Sequence, residues 1–333
     1  MPGLFRYRDA LRPNLFALSY VMAAYVSGLA LILVKPLWLN LTGMLLLAHA
    51  MVIAAYLVHE CAHNSIFRKN RYHRWLAEVL LWICGASYSD YNDIRHKHVR
   101  HHVDRADVVS FDYRVSIRQY PKLLKLIQGL EWMYIPAVEI VMHILVIILP
   151  FIKQQRKNRR SRILGVVLLR FLFFFWLASI SLKILVFYPF AYMLFLIIMR
   201  FMDVHQHTYD LFETLDLVSS EKNKIFDRIF EQRNTYSNLL SDKYAWLNLL
   251  VLNFSYHNAH HQQPGRPWHH LASLHKELYG ENTEQVLSFK ALLKSYHRYR
   301  VVRISNADEI NMAVKPDVEK FIGVDGVSFL TAH

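Results

Sequence analysis

The sequence predicts an all-α integral membrane protein, with four transmembrane helices in two hairpins, interfacial helices and a histidine-rich cytoplasmic cap. Three observations carry that expectation. First, 54% of the 333 residues are apolar and 14% aromatic, with a mean hydropathy of +0.14. The apolar residues gather into runs at 15–34, 37–58 and 163–202. At about 1.5 Å per helical residue these are long enough to cross a hydrocarbon core of roughly 30 Å. Second, basic residues flank the runs, with 39 Lys+Arg against 26 Asp+Glu and a net charge of +13. Third, many of the 19 histidines cluster where the predicted helices end. With 10 Gly, 10 Pro, no repeat and no low-complexity tract, the chain is neither disordered nor a solenoid, and residues 1–333 read as one membrane domain.

Residues 15–34 form the first span, and Lys35-Pro36 turns the chain into a second span at 37–59. The start resembles a signal peptide but lacks a polar region after a small-residue cleavage site, so it reads as an uncleaved helix. The polar segment 64–130 begins the cap. It is interrupted at 75–86 by an apolar run too short to span, which is expected at the surface or re-entering. Residues 132–152 are long enough to cross, but crossing would put the six basic residues of 153–162 on the far side, against the positive-inside rule. They also carry Glu139 and His143 at i, i+4, so the segment is expected in the interface or as a re-entrant hairpin at Pro136. The next run splits at Ser181-Leu182-Lys183 into spans at 163–181 and 184–202. Residues 203–333 complete the cap, in which only an amphipathic helix around 286–303 is patterned.

Four crossings place both ends and every histidine-rich segment on the cytoplasmic side, in a membrane read as a bacterial inner membrane. Basic residues beside the spans suit anionic lipid, so a nucleic-acid role is rejected. Of the two cysteines, Cys61 lies within a histidine cluster, so a structural disulfide is not expected and a reducing compartment is.

The histidine spacing points to metal. His59 and His63 lie at i and i+4 at the end of the second span, on one helical face. His98, His101 and His102 share one spacing with His257, His260 and His261, and His205 and His207 follow the last span. Neutral imidazole suits iron, copper or zinc. About nine ligands exceed the four of a structural zinc or the three of a catalytic one, so the number favours two first-row metals. Ring nitrogens turned away from metal need acceptors, and Glu60, Asp93, Asp104, Asp107 and Asp203 are placed to serve. His49, His73, His143, His269, His270, His275, His297 and His333 read as ordinary hydrogen-bonded residues, while His96 and His205 are left open.

The HxxxH, HxxHH and second HxxHH boxes, in this order around two hairpins, resemble the membrane-bound fatty acid desaturase and hydroxylase superfamily. The likeness runs from the second span to the third box. His59-Glu60-Cys61-Ala62-His63 resembles that family's H(D/E)CGH box, with Ala62 for the usual Gly and Asn64 where some members have His. Gln206-His207-Thr208 is similar to the family's QHT segment. The resemblance implies an O₂-dependent oxidase with two non-haem irons held by His59, His63, His98, His101, His102, His207, His257, His260 and His261. It implies a fatty acyl substrate, as free acid, thioester or lipid. Electrons would come from a ferredoxin-like or other small carrier with its reductase, because no nucleotide-binding fingerprint is visible. Desaturation is the first expectation. Hydroxylation and the decarboxylation of free acids to 1-alkenes, as in some bacterial members, stay open.

A free acid would need a cationic partner, for which Arg95, Arg100 and Arg170 are candidates. The alternative for Arg170 is snorkelling, and for Arg95 and Arg100 lipid phosphate. Two rival classes remain. His59 to His63 also reads HExxH, the zinc-protease signature with Glu60 as general base, and a histidine-rich membrane protein can be a metal transporter. Phe171, Phe173, Phe174, Phe175 and Trp176 either wall an acyl tunnel or face lipid.

Overall fold

The computed structural model describes residues 3–209, 212–215, 227–280, 282, 284–305 and 328–332. Parts of the expected cap, and the reading of His333, lie outside the described residues. Among those described, four helices are long and apolar enough to cross a membrane. Helix α1 (Leu11–Leu33) turns at Pro36 into α2 (Leu37–Ala62). After α3 (Asn70–Ile83), α4 (Tyr91–Asp104), α5 (Tyr113–Arg118), α6 (Pro121–Trp132) and α7 (Ala137–Ile152), a 3₁₀ turn leads into α8 (Arg160–Ile180). Helix α9 (Ile184–Asp203) completes the second long pair. The rest of the chain adds α10 (Arg228–Arg233), α11 (His257–Gln262), α12 (Leu271–Tyr279), α13 (Phe289–Tyr299) and α14 (Val302–Ser305).

The long helices start and end within a few residues of the sequence expectation. The exception is α8, which together with the preceding turn is continuous from Gln154. The basic run at 153–162 therefore forms helix rather than loop.

Helix α2 is the centre of the molecule, packed by α1, α3 and α9, and every residue from Ala50 to Ala62 is buried. A helix apolar all round is kept from water, here by neighbouring helices. Helices α1 and α2 touch backbone to backbone at Gly28 and Gly43, where a Cβ on Gly43 would lie 2.6 Å from the Gly28 carbonyl oxygen. At the turn, Asn40 Nδ2 lies within 3.0 Å of the carbonyls of Leu31, Ile32 and Val34, satisfying acceptors that the end of α1 leaves open. Lys183 Nζ donates to the Val34 and Lys35 carbonyls and to Asn40 Oδ1. This clamp holds the turns of both helix pairs at one end, so the C-termini of α2 and α9 meet at the other.

The segment 132–152, left ambiguous by its charges, begins at the last residue of α6, turns through Met133 to Pro136 with Tyr134 in the left-handed region, and continues as α7. Glu139 and His143 do not pair with each other. Arg200 of α9 bridges Glu131 at 2.5 Å and Glu139 at 3.2 Å, and Tyr192 of α9 bonds His143 Nδ1 at 3.1 Å. The run at 75–86 is amphipathic: Ala77, Leu80 and Leu81 pack on α2, while Trp75 and Val79 are exposed.

Short strands modify the all-α expectation. Strand β1 (Asp107–Val109) pairs in parallel with β2 (Phe212–Thr214), and β3 (Ser237–Asn238) with β4 (Val286–Leu287). The helix expected around 286 starts instead at Phe289, where the Ser288 side chain caps Ala291 N.

Candidate metal centre

Each histidine box sits where local sequence fixes a helix end. His63 is the C-terminal cap residue of α2, and its N–H donates to the His59 carbonyl at 3.2 Å. Asp90 caps α4 by accepting from Asn92 N at 2.8 Å, and Arg105 in the left-handed region ends it just beyond His101 and His102. His207 lies just past α9 and bridges to Thr235, while α11, which carries the third box, is buried throughout except for Gln262.

These ends converge on two groups of imidazoles. His59, His63, His98, His102 and His260 form one, and His101, His207, His257 and His261 the other; within each, one potential ligand atom per residue lies within 4.8 Å of all the rest. In the first group Nε2 of His98 is 2.5 Å from that of His63 and 3.2 Å from that of His102, which is 3.2 Å from His260 Nε2. In the second, His207 Nε2 lies 3.0 Å from His101 Nε2 and 2.8 Å from His257 Nε2. Two nitrogens about 2.1 Å from one metal and at right angles would be about 3 Å apart, so these separations suit a shared ion.

The hydrogen bonds of the rings support the same arrangement. His101 Nδ1 donates to the Ala106 carbonyl at 2.8 Å, which leaves Nε2 a bare lone pair facing His207. His261 Nδ1 is held by Glu231 Oε1 at 2.9 Å. Several buried ring nitrogens, including both of His59, Nδ1 of His257 and Nε2 of His261, have no hydrogen-bond partner. Burial, and then neighbouring imidazoles, hold His98, His102, His257, His260 and His261 well below the ordinary histidine range. Burial likewise brings His63 down to about 3 and His101 to about 4. The rings are therefore neutral at physiological pH, the form in which imidazole binds metal. The donor set fits two metal ions of the iron, copper or zinc kind.

The fatty acid desaturase family profile matches residues 36–292, a stretch that includes all three boxes and His207. This chain belongs to the fatty acid desaturase family. A search of curated proteins gives no match. As a member of an oxidoreductase family carrying four apolar spans, the desaturase-like chain is an integral membrane protein.

The other residues singled out by sequence are distributed unevenly around this desaturase-family centre. Glu60 Oε2 accepts from Ser65 Oγ at 2.6 Å and from Trp268 N at 3.1 Å, while Oε1 lies 3.8 Å from His59 Nδ1. It anchors two loops beside the first group, an arrangement unlike a base aimed at a metal-bound water. Asp107 and Asp203 line a cavity with Lys97, His98, His101, His207 and His257, and burial brings the Lys97 amine down to about 7. Asp93 and Asp104 are corrections to the expected acceptors: Asp93 pairs with Arg159 at 2.6 Å and Asp104 with Arg100 at 2.7 Å.

Arg100 also reaches the Thr214 and Leu215 carbonyls, and Arg95 donates to the Ala62 carbonyl, so both are tied to protein. Arg170 does not snorkel. It is 7% exposed and bonded to Trp82 O and Ser87 Oγ. His205 bonds Ser295 Oγ and Arg303 away from the two groups, and His96 is exposed.

The acceptor that sequence reasoning missed is Glu231. Its carboxylate joins His261 to Arg105, whose Nε lies 3.3 Å away. A single glutamate in a short polar helix has no spacing signature, and only folding brings it under α11. Phe329 is a second unforeseen neighbour, lying 5.8 Å from the His59 ring and lining the cavity.

Proposed function

We propose that this chain is a two-iron, O₂-dependent oxidase that desaturates a fatty acyl chain, with the nine clustered histidines as ligands. The observation that carries this reading is the meeting of the imidazoles in adjoining groups of five and four within a chain of the desaturase family. When bound, the two irons supply the activation of O₂ needed to remove hydrogen from an unactivated carbon. The protein's part is to hold those rings neutral and oriented. Ala106 O and Glu231 orient His101 and His261. Phe254 and Phe329 pack against His59 and limit water beside the metals.

The proposed site faces the cytoplasm. Arg159, in the turn before α8, and Arg162, in its first turn, pair with Asp93, Asp90 and Glu78 of α3, α4 and their connection, on the side of the molecule where the histidine-bearing helix ends lie. Electrons are proposed to come from a small acidic carrier drawn to that basic face. A zinc protease fits less well, because its single three-ligand metal would leave most of the imidazoles unused and Glu60 is engaged by Ser65 and Trp268. A transporter fits less well because the donors sit at helix ends rather than along a path between the spans.

The test is incubation of iron-loaded protein in membranes with fatty acids or acyl thioesters, O₂ and a reducing system, followed by analysis of dissolved and headspace products. An internal double bond supports desaturation. A volatile alkene one carbon shorter would replace it with decarboxylation, and a hydroxy acid with hydroxylation. Protein that holds two irons, accepts electrons and yields no O₂-dependent product would overturn the proposal. Full iron content and turnover in His260→Ala would overturn the ligand set.

A further inference from the structure

A cavity of about 370 Å³ lies between α7, α8, α9 and the turn at Gly85 to Tyr88. Arg170 brings a positive charge into its wall from the middle of α8. The guanidinium donates to Trp82 O at 2.8 Å and Ser87 Oγ at 3.2 Å and lies 4.5 Å from the centre of the Trp82 ring. All these partners are neutral. Among the described residues no carboxylate lies within 4.0 Å of Arg170, and the nearby acids serve other arginines: Glu78 faces Arg162, and Asp93 faces Arg159. A buried cation without a counter-charge is costly, and in an apolar helix it marks a binding site more often than a structural support.

The other polar atoms of the cavity have the same character. Arg170 Nε and His143 Nε2 are buried without a hydrogen-bond partner, and the Tyr188 hydroxyl is buried beside Arg170 and Tyr25. Tyr192 Oη pairs with His143 Nδ1 at 3.1 Å, and in the tautomer in which the hydroxyl donates, His143 Nε2 carries the ring proton. Buried polar groups and a positive charge thus border one space, and the group that satisfies them is an anionic acceptor such as a carboxylate. A second cavity of about 460 Å³ adjoins the first, sharing Phe174, Tyr188 and Pro189, and is otherwise lined by apolar side chains of α8 and α9. Its wall residues Phe171, Phe175 and Leu185 are exposed on the outer surface of the helix pair, where lipid would lie.

We propose that these adjoining cavities dock a free long-chain fatty acid taken sideways from the bilayer, its carboxylate on Arg170, Tyr188 and His143 and its chain between α8 and α9. The proposal rests on the reading that the protein handles acyl substrates, and it adds where an un-esterified one is received. A phospholipid phosphate shares the acceptor chemistry, so the test separates the two.

Purified protein is assayed for binding of radiolabelled palmitate, with palmitate, methyl palmitate and phosphatidylglycerol as competitors, and iron is measured in the same samples. Saturable binding displaced by palmitate but by neither of the others is expected. Arg170→Gln should weaken it at least tenfold, with Arg170→Lys intermediate. Tyr188→Phe, which keeps the ring, should weaken it several-fold and carries the test if Arg170→Gln does not fold. Wild-type affinity in the folded variants overturns the proposal, as does equal displacement by methyl palmitate or phosphatidylglycerol. Binding is read without turnover, so unaltered binding in the variants of a two-iron protein sinks this site alone. Arginine-dependent binding by a chain that takes up no iron sinks the oxidase reading alone.

Discussion

Removing Glu231 should weaken metal binding most at the four-histidine group. The carboxylate is 4% exposed and holds His261 Nδ1 at 2.9 Å and Arg105 Nε at 3.3 Å. Replacing it by alanine leaves a buried N–H and a partly buried guanidinium without this acceptor. A hydrogen bond involving a charged group contributes about 1.5–3 kcal/mol. Losing a carboxylate that orients a metal-binding histidine costs about 10–100-fold in metal affinity, equivalent to about 1.4–2.8 kcal/mol. The two estimates agree in size. His261 belongs to the four-histidine group, and with Glu231 it also lies within 4.8 Å of a ring nitrogen of His102 in the five-histidine group, so the four-histidine metal should lose most and the other least. Glu231→Ala, titrated with a chelator and followed by elemental analysis, should therefore release one equivalent of iron at about 10–100-fold lower chelator activity, with the second equivalent shifted less. Glu231→Gln, whose amide oxygen can still accept, should fall between. Simultaneous loss of both irons, or a release curve identical to wild type, would refute the assignment of His261 and its orienting carboxylate to a separate metal.

Three further perturbations test the scaffold. Gly43→Val places a side chain against the Gly28 carbonyl and Leu31, and should destabilise the protein by about 1–3 kcal/mol in detergent melts, with Gly43→Ala milder. Arg200→Met leaves Glu131 and Glu139 together without the guanidinium between them. It should cost about 3–5 kcal/mol and loosen α6 and α7 from α9, read as faster proteolysis near Met133 to Pro136. His73 Nε2 accepts from Phe67 N at 2.9 Å, and burial brings the ring down to about 4. Because the unfolded ring titrates near 6.5 and binds more protons than the folded one, stability contributed by His73 is present above pH 6.5 and is lost as pH falls toward 4. At pH 5 the loss reaches about 2 kcal/mol, so iron-loaded His73→Gln should show a smaller fall in melting temperature between pH 7 and pH 5 than wild type.

Much of the helix plan is legible in the chain because crossing a bilayer demands long uninterrupted apolar runs, and few other structures use them. The bounds of α2 and α9 follow within a few residues from Pro36 and Lys183, and the histidine boxes stand out because their i, i+3, i+4 spacing is local. Where charge competed with hydropathy, as at 132–152, the pattern alone did not decide. Nor did it show that Glu139 would meet Arg200, about 60 residues later. The short parallel strands also escaped notice, since two or three residues carry no period and their partners are remote.

The same distinction runs through the site. Local chemistry in the sequence offered imidazoles enough for two metals and determined that the chain is an apolar membrane protein. Only the tertiary structure decided how those rings divide, with His101 leaving its neighbours His98 and His102 to join His207, and which carboxylate stands behind them, Glu231 rather than Asp93 or Asp104. Hydrophobic runs and helical spacing are properties of neighbouring residues, whereas shared coordination and counter-charge depend on distances that only packing sets.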